Sequence, residues 1–414
     1  MSGRLVSGKI RKLLIIIVLL SSSLVAACQL GAVDYLIARV IFAPDHEEIN
    51  DEKIGEPKRE EINESRDKEI TGHEGEGLYS SERIPPLDYT VTVVAEDLEI
   101  PWEILPLPDG RLLVTERPGR VTIVGEGNIA TIHDVRHIGE GGLMGAEIDP
   151  DFEENSFLYL YYSYEDGGEV YNRVSRFVFQ EDSLEEEKVL LDNIPGSRFH
   201  NGGRIRFGPK GALFITTGDA SDTSLPQDLS SLAGKILRIN PDGSIPENNP
   251  FPDNPVYSYG HRNPQGIAWD PDKDILYSSE HGPTRQDEVN VILPGKNYGW
   301  PIVECGEGES DFEDPIICYT EFTLAPSGMD FFPGEGEYPD QLFIGGLRGN
   351  MVKRIALDDK GNILDREPIL TNWGRLRTVR YHEGNLYVAT NDRDGRGIPD
   401  ETSDLILKVE FQPD

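Results

Sequence analysis

The chain is poor in cysteine and in positive charge. Three cysteines in 414 residues cannot build a disulfide-dense scaffold, and without a CxxC pair nothing marks a structural zinc site. Lys and Arg together number 39 against 74 Asp and Glu, a formal charge of −35. Such a deficit excludes unspecific nucleic-acid binding, because displacing counterions from a phosphate backbone takes many cationic side chains. Neither GxxxxGK[ST] nor GxGxxG occurs, so the common phosphate-cradling loops are missing. From residue 84 onward no convincing amphipathic helix pattern appears. What is plentiful is Gly (43) and Pro (29), a combined share above the usual one, and 37% of residues are hydrophobic. That composition describes a turn-rich β protein with enough apolar side chains for a core.

The N-terminus reads as an export and tethering signal. Arg4, Lys9, Arg11 and Lys12 precede an unbroken aliphatic run from Leu13 to Leu20, followed by small residues up to Cys28. Val25-Ala-Ala-Cys28 is similar to a lipobox, at which bacterial-type lipoproteins are cleaved and acylated. The alternative is an uncleaved anchor, since residues 13–33 carry no charge and about 20 apolar residues cross a bilayer. Either reading gives a membrane attachment through a lipid or a helix, with the bulk of the chain outside the cytoplasm in the periplasm or at the cell surface. Residues 29–83 read as an acidic, disordered linker: positions 45–83 hold 14 acidic and 6 basic side chains and too little apolar surface to order themselves. Cys305 and Cys318 bracket an acidic stretch and, in an oxidising compartment, either close a loop disulfide or stay free.

Residues 84–414 repeat one unit. A turn with Asp, Gly or Pro leads into a β-branched or aromatic strand at Pro108–Thr115, Asn155–Tyr162, Pro209–Thr216, Lys273–Ser278, Pro339–Ile344 and Glu383–Val388. Six copies about 55 residues apart point to an all-β, six-bladed β-propeller whose blades are four-stranded antiparallel sheets. In a propeller, loops from several blades converge on one axial mouth, so the chemistry is expected where the strand pattern breaks.

Five segments break it. Ile138-Gly-Glu-Gly-Gly-Leu-Met-Gly145 gathers glycines around a single carboxylate, Glu140, and allows close backbone approach. Phe199-His-Asn-Gly-Gly-Arg204 places His200 in a glycine-rich loop just before a strand, where an imidazole can take a proton from a substrate hydroxyl. Tyr259-Gly-His-Arg-Asn-Pro-Gln-Gly266 offers the planar cation of Arg262 and the amide of Asn263. Glu280 to Glu288, followed by Asn297-Tyr-Gly-Trp300, supplies carbonyls at Gly282 and Pro283 and charge at Asp287 and Glu288, the oxygen types calcium prefers. Leu347-Arg-Gly349 and Gly374-Arg-Leu-Arg377 contribute loop arginines; Arg375 and Arg377, two apart, point the same way on an extended chain. Asp392 to Gly397 reads as a plain turn. Arginines gathered at converging loops of a strongly acidic protein imply a specific anion.

Taken together, and in this order, these segments resemble the quinoprotein glucose/sorbosone dehydrogenase family, PQQ-dependent aldose sugar dehydrogenases on a six-bladed propeller. The resemblance runs from about Leu98 to Leu407 and rests on Ile100-Pro-Trp-Glu103, Leu112–Gly119, Gly139–Gly145, Gly260–Gly266 and Asn297-Tyr-Gly-Trp-Pro301. It implies that His200 is the general base for the anomeric hydroxyl of an aldose, with hydride passing from C1 to the quinone. It implies that Arg262 and a calcium ion polarise the quinone oxygens, the ion held by the carbonyls of Gly282 and Pro283. Asn263, Arg348, Arg375 and Arg377 would hold the carboxylates and ring edge of PQQ. Glu288 and the Tyr298 carbonyl match a second calcium site, and Glu140 stands where glutamine touches the cofactor in glucose-oxidising members. Phe199 stands where those members have an aspartate beside the histidine, so another residue is expected to orient His200. Arg348 replaces their lysine. The electron acceptor is an external one that the sequence does not name. The competing readings are a binding or adhesion propeller that has lost PQQ, and a calcium-dependent lactone hydrolase.

Overall fold

The computed structural model describes residues 87–411, except 181–182, 307, 309–310, 335–337 and 401–402. The signal or anchor (residues 1–28) and the acidic linker (29–83) lie outside the described residues. β1 (Tyr89–Ala95) comes first among the described residues and is used last in the architecture. β2 (Pro101–Pro106), β3 (Leu112–Glu116), β4 (Arg120–Ile123) and β5 (Gly127–Thr131) form one antiparallel sheet. β6 (Leu143–Ile148), β7 (Phe157–Asp166), β8 (Glu169–Gln180) and β9 (Ser183–Pro195) form the next. β10 (Ile205–Phe207), β11 (Leu213–Thr217), β12 (Lys235–Ile239) and β13 (Val256–Tyr259) make a third sheet, and β14 (Pro264–Asp270), β15 (Ile275–Glu280), β16 (Asp287–Ile292) and β17 (Ile317–Tyr319) a fourth. The fifth holds β18 (Pro326–Phe332), β19 (Gln341–Gly346), β20 (Met351–Leu357) and β21 (Ile363–Ile369). The sixth runs β22 (Leu376–His382), β23 (Asn385–Thr390), β24 (Ile406–Phe411) and then β1, with Tyr89 opposite Phe411. The first strand thus completes the last blade and locks the ring, leaving no open edge between its two ends.

Each repeated unit found in the sequence is the turn before a blade's second strand and that strand itself, β3, β7, β11, β15, β19 and β23. The reason is burial on both faces. β11 and β19 are buried at every position, because neighbouring blades cover both sides of the sheet and demand apolar residues without alternation. The blade interfaces are apolar, as where Leu105, Leu113 and Val121 pack with Leu158, Leu160 and Tyr162. The Cys305–Cys318 disulfide forms, its Cα atoms 5.6 Å apart, and ties the loop after β16 to β17.

The first strands β2, β6, β10, β14, β18 and β22 pack against one another around the axis. Their inward side chains are ionic. Glu103, fully buried, bonds Arg204 and sits 3.0 Å from Arg206. Glu147 joins Arg206 at 3.5 Å and Arg380 at 3.1 Å, and Arg204 lies 4.0 Å over the Trp102 ring. Arg204, just before β10, also donates through Nε to the Gln265 carbonyl, so residues of three blades meet at one guanidinium. Burial raises the Glu103 carboxyl while Arg204, Arg206 and Arg380 outweigh it, and the group is lowered from 4.5 to about 2.

A carboxyl lowered on folding adds stability above its unfolded value and loses it as pH falls through the folded one. The contribution of Glu103 is therefore full above pH 4.5 and disappears as pH approaches 2. Glu103→Ala leaves Arg204 and Arg206 buried without this carboxylate and is expected to lower the unfolding free energy by about 3–5 kcal/mol at neutral pH. Urea unfolding at pH 7 and pH 3 checks it, the difference between variant and wild type narrowing at the lower pH.

Candidate active site

Loops from all six blades line one cavity of about 850 Å³ at the axial mouth. It brings together Glu140, His200, Arg262, Asn263, Gly282, Pro283, Asp287, Arg348, Arg375 and Arg377. Glu288 and Tyr298 do not reach it. They line a separate recess beside Glu280 and Trp300.

His200 is held in the left-handed region (φ 59°), a strained setting for a residue with a β-carbon. Two contacts stabilise it: its N–H donates to Glu140 Oε2 at 3.0 Å, and Ala220 N–H donates to its carbonyl at 3.1 Å. Only glycine fits at position 218, where an added Cβ would stand 2.1 Å from the His200 carbonyl oxygen. The ring Nδ1 lies 2.7 Å from Asp219 Oδ1. Asp219, 1% exposed, also accepts from Trp300 Nε1 at 2.9 Å and from Ser221 N at 2.7 Å. A carboxylate accepts only, so Nδ1 carries the proton and Nε2 is left as the acceptor. Asp219 is the orienting residue expected in place of the aspartate that Phe199 displaces. Nineteen residues separate it from His200, and no local pattern announced it.

The opposite wall is cationic. Asp394 Oδ2 accepts from Arg375 Nη2 at 2.6 Å and from Arg377 Nη2 at 3.4 Å, which realises the same-side placement of the two arginines. Arg377 also donates to Gln265 Oε1 at 2.9 Å. The Asp392–Gly397 segment is a turn, yet it is more than a plain one: it supplies Asp394 to this wall, and Arg396 to Glu140 at 2.8 Å. Asp and Arg alternating at 392, 393, 394 and 396 was the available signal. Arg117, 2% exposed, was also missed; it donates to the Gly139 carbonyl and has no carboxylate within ion-pair distance among the described residues. Arg348 is exposed at the rim.

Burial lowers the pKa of Arg117 and of Arg262, and lowers Arg377 to about 9, where the neighbouring Arg117 and Arg375 push the same way. His281 is held well below its ordinary value by burial and by Arg377 and Arg262, and is neutral at pH 7. The Nε atoms of Arg117, Arg262, Arg375 and Arg377, Nδ2 of Asn263 and Nε2 of His281 are buried without a hydrogen-bond partner. Most of these are donors without acceptors, concentrated on one cavity. The residues that carry them line a wall where seven arginines meet three carboxylates, and a flat polyanion with acceptors along its edge suits that excess of cations.

Among the described residues no group of three or more His, Cys, Asp or Glu forms a metal cluster. The calcium reading rests instead on main-chain oxygens. The carbonyls of His281 and Gly282 already face a cation, accepting from Arg262 Nη1 at 3.1 and 2.9 Å. Asp287 is occupied differently from what the sequence implied: Oδ1 accepts from Gly282 N, and Oδ2 from Leu324 N and Ala325 N. It braces the turn that presents Gly282 and Pro283, and burial raises its pKa. Glu288 accepts from Cys305 N at 2.8 Å and is raised to about 7 by burial and by Glu280. Tyr298 stacks on His261, whose Nδ1 meets Glu280 and thereby anchors the 259–266 segment.

The sequence profile of the Glucose / Sorbosone dehydrogenase family matches residues 98–406. The chain belongs to this family. It is 34% identical over 357 residues to the aldose sugar dehydrogenase YliI of Escherichia coli, covering 78% of this chain and 93% of that one. Among solved structures it is similar to the PQQ-bound aldose sugar dehydrogenase of Streptomyces coelicolor, at 39% identity and a TM-score of 0.72, covering 79% of this chain and all of the other. It also resembles a Thermus thermophilus protein described as a putative oxidoreductase (glucose dehydrogenase), at 40% identity and a TM-score of 0.73, over 78% of this chain and all of that one.

In this family setting the Asp219–His200 pair has a measurable consequence. Asp219→Asn keeps the shape and removes the charge that fixes the Nδ1 proton, so the sugar-dehydrogenase turnover expected of a family member should fall by about 10²- to 10⁴-fold with KM little changed. Steady-state dye reduction checks it, and an unchanged kcat would contradict the role.

Proposed function

We propose that the chain is a membrane-tethered, extracytoplasmic quinoprotein that oxidises aldoses at C1 to lactones with PQQ and calcium. One observation carries the reading: a carboxylate-oriented imidazole, with Nε2 free to accept, lines the same cavity as seven arginines against three carboxylates. A binding module that had lost its cofactor has no use for that pair. PQQ, when bound, supplies a quinone that takes up the two electrons of the oxidation.

The residues of the chain do the rest. Arg262, Asn263, Arg348, Arg375 and Arg377 would hold the carboxylates and ring edge, each guanidinium offering a planar fork to an oxyanion. Asp394 holds Arg375 and Arg377 on one side of the cavity. Glu140 braces the main chain of His200, and its charge is matched by Arg396. His200 Nε2 accepts the proton of the anomeric hydroxyl, and Asp219 stabilises the imidazolium that results. Gly282 and Pro283 would hold calcium through their carbonyls, and Glu288 with the Tyr298 carbonyl a second ion. Support for an oxidising, extracytoplasmic setting comes from the Cys305–Cys318 bridge and from the basic, aliphatic and small-residue order of the N-terminus.

The full chain, supplied with PQQ and calcium and a dye acceptor, is expected to oxidise members of an aldose panel, with no turnover when PQQ is omitted. His200→Ala should lose at least about 10²-fold in kcat while PQQ affinity, read by fluorescence titration, stays within a few fold. Equal loss of both would make His200 a structural residue; absence of both turnover and PQQ binding in the wild type would leave the non-catalytic propeller.

A further inference from the structure

We infer that the preferred aldose is itself an anion, carrying a carboxylate or phosphate that seats against Arg198 at the cavity mouth. The inference rests on the dehydrogenase reading above and adds the substrate class. Seven guanidiniums line the cavity, from Arg117, Arg198, Arg262, Arg348, Arg375, Arg377 and Arg396. The lining carboxylates are already occupied: Glu140 by Arg396, Asp394 by Arg375 and Arg377, and Asp287 by three main-chain N–H groups. Arg117, Arg198, Arg262 and Arg348 have no carboxylate within ion-pair distance among the described residues. Arg117, buried, and Arg262, half-buried, lie where a flat cofactor would, and the exposed Arg348 is assigned to the same cofactor above. Arg198 is not so assigned: it is exposed, two residues before His200, on the wall that the sugar must pass.

The local surface has the form of a subsite. The Phe199 ring, 37% exposed, has the Arg198 guanidinium 5.8 Å and the Arg396 guanidinium 5.2 Å from its centroid. Arg396 is committed to Glu140, which leaves Arg198 as the open cation beside an apolar ring next to the general base. A ring face and an adjacent fork suit a pyranose that bears an oxyanion away from C1. The chain as a whole carries −35 and repels anions at a distance, so an anionic sugar would be admitted by this local patch alone. The bond changes are those of the proposed reaction: C1–H and the anomeric O–H break, His200 takes the proton, and bound PQQ would accept the hydride. The oxyanion is unchanged, and the product is the lactone of the corresponding sugar acid.

The test uses the full chain loaded with PQQ and calcium, comparing kcat/KM for glucuronate and galacturonate with glucose and galactose, and for glucose 6-phosphate as the phosphate arm. At least one charged sugar is expected to exceed its neutral parent tenfold or more, the better arm identifying the oxyanion. Arg198→Gln should reduce that preference about tenfold and Arg198→Lys should recover part of it. In a separate equilibrium readout, glucuronate or glucose 6-phosphate should raise the Tm of the cofactor-free wild type more than that of Arg198→Gln. Efficient oxidation of neutral sugars with no preference for charged ones would overturn the inference and leave the dehydrogenase standing. A preference unaffected by Arg198→Gln would overturn the seat assigned to Arg198. No PQQ binding and no turnover of any sugar would overturn both readings together.

Discussion

Buried guanidiniums without enough anions are the constraint on which the rest of this molecule turns. Removing a cation from water is costly unless a partner replaces the lost hydration, and Arg117, Arg375 and Arg377 are buried and Arg262 half-buried, each with an unpartnered Nε. The fold tolerates them because the surrounding ring is rigid and distributes the load. Asp394 serves two of them, Gln265 a third contact, and the carbonyls of Gly139, His281 and Gly282 take others. Side chains held by these internal contacts are preorganised, and a bound polyanion does not have to order them.

The propeller supplies that rigidity through its axis. Gln265 illustrates the coupling: its side-chain oxygen accepts from Arg377 at the cavity floor, while its carbonyl accepts from Arg204 in the layer below. Arg204 in turn bonds Glu103, and the ionic layer continues through Arg206, Glu147 and Arg380. The axial channel is thus filled with paired charge beneath an open, positively charged mouth. Six first strands share in it, and β1 closing onto β24 keeps them in one ring.

The fold was legible because the second strand of each blade is mostly buried, β11 and β19 at every position, and announces itself as an apolar run after a turn. The closure by β1 was not, since Tyr89–Ala95 is a half-exposed strand without a distinctive partner motif. Site residues embedded in glycine-rich breaks, such as Glu140, His200 and Arg262, stood out for the same reason that they function: glycine lets backbones crowd around them. Asp219, Arg117 and Asp394 are ordinary residues of ordinary turns whose roles arise only when blades are brought together. Asp287 illustrates the opposite error. Its acidic surroundings look like a cation site, while three main-chain donors give both its oxygens a structural task the sequence did not show. The Asp392–Gly397 turn shows that a correct local reading can still hide two side chains that reach the active cavity.

Thermal melting of the cofactor-free full chain, titrated with PQQ in the presence of calcium, tests the central claim most directly. A ligand that binds only the folded state at 100 times its Kd stabilises by about 2.7 kcal/mol. If the buried guanidiniums are a preformed seat for a flat polycarboxylate, Tm rises saturably with PQQ, and Arg377→Met abolishes most of the rise. A melting temperature indifferent to PQQ would contradict the account.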